Sequence, residues 1–137
     1  VTADESIQRF GLVPIDAALP EIRRLLAQEI ETERSGGERE EDLTLLCCVQ
    51  LFSRGLLEDV LPIWEAKGAS MDLGGVVSVQ FLCGAGLRTT KAFLAAQSGT
   101  AAAAALRYLQ GCETAGDFKD FSSEEYLDGY RTYFGAV

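Results

Sequence analysis

Apolar positions recur along this chain at three- and four-residue spacing, the pattern of amphipathic helices, and no segment sustains the alternation of a half-buried strand. Pro20 suits a first helical turn, and Leu19, Ile22, Leu25, Leu26, Glu29 and Ile30 follow on one side. The other side carries Arg23, Arg24, Glu31 and Glu33, and Ser35-Gly36-Gly37 predicts a stop. A second helix is expected to start inside the acidic run 38–42, where carboxylates favour the positive end of a helix dipole. It continues through 43–52 with almost every position apolar, which predicts a central, fully buried helix ending at Gly55.

A third helix spans 57–67. Pro62 inside it requires either a start near Asp59 or a kink, and Gly68 ends it. Val76, Val77, Val79, Phe81 and Leu82 favour a strand by propensity. One strand without a partner is not a structure, so 76–83 is read as a buried helix. Gly84-Ala85-Gly86 breaks the chain before a helix over 87–97. Thr100 is read as the cap of the next helix, entered through the alanine run 101–105. Ser122 with Glu125 three residues on forms a capping box for a last helix, whose Tyr126, Leu127, Tyr130, Tyr133 and Phe134 make one apolar stripe. The expectation is therefore an all-α single domain over 1–137, a bundle of about six or seven helices in antiparallel hairpins. The helix–turn–helix at 45–67 resembles one hairpin of an α-solenoid, but no second copy follows at a fixed period.

Charge changes this picture more than composition does. The chain has 137 residues, 47% hydrophobic and 24% charged, as expected of a globular domain. Its net charge of −9 is uneven. Residues 1–42 hold 11 acids and 5 bases, 43–97 hold 4 of each, and 98–137 hold 6 and 3. A neutral middle between acidic flanks predicts a buried layer under solvated helices. Such a surface repels phosphate backbones, arguing against nucleic acid, and would steer a basic protein towards it. Glu29, Glu33, Glu38, Glu40, Glu41 and Asp42 are the candidate partner-binding residues. No apolar run is long enough to cross a bilayer, and the first residues lack the basic-then-apolar order of a signal peptide, so a cytoplasmic location is expected.

Candidate chemistry is sparse. There is no histidine, and Cys47, Cys48, Cys83 and Cys112 lack metal-ligand spacing, so neither a metal nor a cofactor is expected. Without histidine the usual Cys/His nucleophile is excluded. Cys83-Gly84-Ala85-Gly86 before a helix invites an anion-loop reading, but it lacks the third glycine and the preceding parallel sheet, so tight helix reversal is the expectation. Trp64, Asp72, Gln80 and Lys91 stand out as polar or amphipathic groups in apolar sequence. They are read either as a candidate pocket or as an internal network in which Asp72 caps a helix and Gln80 ties two helices together.

The words IWEAK-x-x-S-x-D at 63–72, VQFLCGAGL at 79–87 and TK-x-FL at 90–94 resemble a group of small, uncharacterised bacterial helical proteins. That resemblance implies no activity and no site residues. The sequence thus favours a non-enzymatic, protein-binding helical domain, of the immunity or antitoxin kind, that meets a basic protein. The alternative is a small-molecule binder or enzyme using the Trp64/Asp72/Gln80/Lys91 region, and a homodimer is a further option.

Overall fold

Residues 1–40 and 42–135 are described by the computed structural model. Among them the chain forms eight α-helices and no strand. The first helix, α1 (Ala3–Phe10), was not anticipated, because only Ile7 and Phe10 mark an apolar side. Thr2 caps it, accepting a hydrogen bond from the Glu5 amide at 3.1 Å. A 3-10 turn (Asp16–Ala18) leads into α2 (Leu19–Arg34), which buries Leu19, Ile22, Leu25, Leu26, Glu29 and Ile30, the expected face. Gly36, at φ 77°, makes the reversal.

The central helix, α3 (Leu43–Arg54), is buried along ten consecutive residues, 43–52. It starts later than the sequence suggested. Asp42, at φ 63°, is left-handed and caps no amide with its side chain, so the described acids of the 38–42 run precede the helix rather than forming its first turn. Gln50 lies wholly inside. Its amide nitrogen donates to the Gly11 carbonyl at 2.9 Å and to Ser6 Oγ at 3.4 Å, tying α1 to α3, while its Oε1 accepts no bond among the described residues.

After a 3-10 turn (Leu57–Asp59), α4 (Val60–Lys67) begins just ahead of Pro62, which therefore falls in the first turn and needs no kink. Asp59, 2% exposed, receives both Arg23 Nε (2.8 Å) and Nη2 (2.9 Å), a fork-on-fork pair joining α2 to the start of α4.

The expected single helix over 76–83 is two elements. Helix α5 (Met71–Val76) ends at Val77, and a 3-10 segment (Val79–Cys83) follows. The β-branched run is not held in a continuous helix. Lys67 secures the break, donating to the Gly74 and Val77 carbonyls at 2.7 Å each and so capping the freed end of α5. Ser70, not Asp72, caps the start of α5, accepting from the Leu73 amide at 3.0 Å.

Helix α6 (Leu87–Ala96) pairs with α7 (Thr100–Thr114), as α2 pairs with α3. Gly99, at φ 104°, occupies the cap position, and Thr100 is already the first helical residue. Helix α8 (Ser123–Tyr133) starts at the expected Ser122 cap, whose Oγ accepts from the Glu125 amide at 3.3 Å. It has no fully buried residue. It docks on α3 and the 3-10 segment through Tyr126, whose ring centre lies 5.6 Å from Phe52 and 5.5 Å from Phe81, and through Tyr130, 5.1 Å from Phe81. A Ser78–Tyr126 hydroxyl bond completes the seam, and burial pushes the Tyr126 phenol pKa up.

Candidate functional site: an acidic cleft beside α2

Helix α2 and the linker after it enclose an open cleft of about 510 Å³. One wall is Arg24, Leu25, Gln28, Glu29 and Thr32, which share a side of α2 by their spacing. Glu38, Glu40 and Leu43 form the other wall, with Val1 at the edge. Because α3 starts only at Leu43, Glu38 and Glu40 reach this cleft from the linker.

Glu29 forms the floor and is 7% exposed. Its Oε1 accepts from Thr44 Oγ1 at 3.3 Å, and the Glu40 backbone supports it as well. Burial nevertheless prevails, and the Glu29 pKa is raised despite these bonds and the nearby Arg39 charge. Glu38 and Glu40 are exposed on the rim. Arg24, the side-chain cation of the lining, is already engaged by Glu21 through two bonds at 3.0 and 2.6 Å. Three carboxylates therefore line a space whose side-chain cation is occupied.

The remaining candidates for the acidic surface lie elsewhere. Glu33 turns towards α5, accepting from Ser70 Oγ at 2.6 Å and pairing with Arg39 at 3.3 Å; the Ser70 bond first, then Arg39, lowers its pKa. Asp42 accepts from the Tyr133 hydroxyl at 2.9 Å, tethering α8. Glu41 lies outside the described residues.

Trp64, Asp72, Gln80 and Lys91 are not brought together. Trp64 packs on Tyr108 of α7, ring centres 5.5 Å apart. Asp72 is an exposed carboxylate paired with Arg39 at 3.1 Å. Gln80 donates to the Asp117 carbonyl at 3.0 Å, tying the 3-10 segment to the loop after α7. Lys91 pairs with Glu113 at 2.8 Å across the α6–α7 hairpin. Each polar group has a different neighbour, so they act as separate ties.

Nor does the glycine turn offer an anion loop. A Cβ on Gly84 would come within 3.0 Å of the Phe52 carbonyl oxygen, and one on Gly55 would lie 2.9 Å from the Gly84 oxygen, so these glycines let two backbones touch. Burial pushes the Cys47 and Cys83 thiols up to about 12 and raises Cys48 too, the opposite of what a reactive thiolate needs. Among the described residues no three acidic or cysteine side chains gather as a metal site, and no helix is long and apolar enough to cross a membrane.

Two features went unnoticed in the sequence. Lys67 is the one cation in the apolar stretch 60–67, a signal that could have singled it out. The Arg23–Asp59 pair, 36 residues apart, left no local trace. No family model, curated protein or solved structure matches the chain.

Proposed function

We propose that this is a protein-binding helical domain whose acidic cleft receives cationic side chains of a basic partner, in the manner of an immunity or antitoxin protein. One observation carries the reading: Glu29, Glu38 and Glu40 face one cleft whose side-chain cation is already held by Glu21. Rim carboxylates of this kind steer a cationic partner and fix its register. Glu29, buried and raised, would gain most from a positive charge arriving at the mouth.

The small-molecule alternative needs one enclosed polar pocket around Trp64, Asp72, Gln80 and Lys91. Their separate partners give it no support.

The test is affinity capture on the intact chain with stepwise salt elution, beside a Glu38→Lys/Glu40→Lys variant shown by circular dichroism to be folded. The expected result is a basic protein in stoichiometric amount, eluted by salt and absent from the variant. Capture indifferent to both salt and the variant would overturn the reading.

A further inference from the structure

A second concavity lies on the other flank of α2, between it and α4, with a volume of about 240 Å³. Its floor is apolar: Leu26 and Ile30, both buried, with Ala27 and Pro62. Its rim is anionic. Arg23 is held at one end by Asp59 through two bonds and by Glu58 at 3.3 Å, so one cation meets two carboxylates. Glu65, exposed on the same rim, has no ion-pair partner among the described residues. Counting Arg23 against Asp59, Glu58 and Glu65 leaves two negative charges around an apolar trough.

We infer that this groove is the socket for an arginine side chain of the same basic partner, a step that rests on the protein-binding reading above. The match is one of shape and charge together. An arginine lays a three-carbon stem on apolar surface while its head stays at a polar edge, here Leu26, Ile30 and Pro62 below and Glu58 and Glu65 at the mouth. The guanidinium is planar and weakly hydrated, so it gives up water more readily than an ammonium and meets carboxylates with two parallel bonds. A purely apolar occupant would leave the two carboxylates facing it, and an anion would be repelled.

The socket and the acidic cleft are separated by the outward ridge of one helix. Ala27 lines the groove and Gln28, the next residue, lines the cleft. A helix with its side chains is about 10–12 Å across, so a partner straddling α2 reaches both sites with neighbouring basic residues.

The experiment is amide chemical-shift titration of the intact chain with three capped tripeptides, Gly-Arg-Gly and its citrulline and norleucine counterparts. Citrulline keeps the shape without the charge, and norleucine keeps only the stem. Arginine should give saturable shifts at Leu26, Ala27, Ile30 and Glu65, with citrulline at least about threefold weaker, the scale of a partly exposed ion pair. Glu58→Gln/Glu65→Gln, which keeps Asp59 and its bond to Arg23, should reproduce that loss. Equal affinity for all three peptides, no shift at these amides at millimolar peptide, or indifference to the double variant would each overturn the socket. Shifts confined to Gln28, Thr32 and Glu40 would overturn it while leaving the cleft reading intact. Failure of the Glu38→Lys/Glu40→Lys capture experiment would instead remove the parent reading.

Discussion

Replacing Gly84 by alanine tests whether the glycine turn is architecture. Gly84 sits at φ −59°, ψ −30°, which alanine adopts freely, so the backbone itself raises no objection. The unfolded chain would even lose entropy, which favours alanine by about 0.4–1 kcal/mol. Against this, the new methyl would stand within 3.0 Å of the Phe52 carbonyl oxygen, 3.2 Å from its carbon and 3.1 Å from Gly55 Cα. Ordinary contact begins at 3.4 Å, and all three atoms are backbone, so no side chain can swing aside. The end of α3 and the turn before α6 must part by several tenths of an ångström. Overpacking of this kind costs about 1–3 kcal/mol, and a rigid neighbour places it at the upper end. The net loss expected is about 2 kcal/mol, or roughly 5–10 °C in Tm. Gly111→Ala is the internal control. That glycine lies within α7 with nothing inside 4 Å, so alanine should stabilise by about 0.5–1 kcal/mol. Urea unfolding followed by circular dichroism measures both. Gly84→Ala within 0.5 kcal/mol of the parent (about a quarter of the expected loss) would refute the close-approach argument.

Arg23→Met should cost about 3 kcal/mol, since it leaves Asp59 buried and unpaired, while adding Asp59→Leu should recover most of that loss; a single variant as stable as the parent would show that the fork contributes nothing. Glu29→Gln keeps an acceptor for Thr44 but removes a carboxylate whose pKa is raised in the fold. Between the unfolded value near 4.3 and that raised value the native chain holds more protons than the unfolded one, so the parent loses stability as pH rises through this window. The glutamine variant should therefore be the more stable at pH 7, with the gap closing in acid; a gap independent of pH in urea titrations would contradict this. Finally, an aromatic disulfide reagent at pH 8 should leave Cys47, Cys48 and Cys83 untouched in the native chain and react slowly with Cys112 alone, against all four after unfolding. Fast native labelling of more than one thiol would refute the burial argument.

The elements most readable in the sequence were those whose information is local. The stripe from Leu19 to Ile30, the stops at Gly55 and Gly68 and the Ser122 cap each need only a few neighbouring residues, and the structure places them as expected. Thr100 failed because Gly99 can take a positive φ that threonine avoids, which moves the cap back by one residue. The split at Val77 failed for a different reason. It depends on Lys67 reaching seven and ten residues ahead to hold two carbonyls, and no local pattern encodes that reach. The same holds for the site. Acidity of the region was plain, but which carboxylates share a cleft was decided by the linker conformation at Asp42 and by Arg39 drawing Glu33 and Asp72 away.

The aromatic contacts of α8 and of the α4–α7 junction equip the molecule with two separate optical reporters. Trp64, the sole indole, rests on Tyr108 at the α4–α7 contact, so its emission follows that contact. Tyr126, Tyr130 and Tyr133 form a run along α8, with ring centres 5.5 and 6.2 Å apart at successive steps. Release of α8 would therefore brighten or dim tyrosine emission and leave the tryptophan spectrum in place, whereas global unfolding would move both. A spectrometer can thus distinguish the two events in an unlabelled sample.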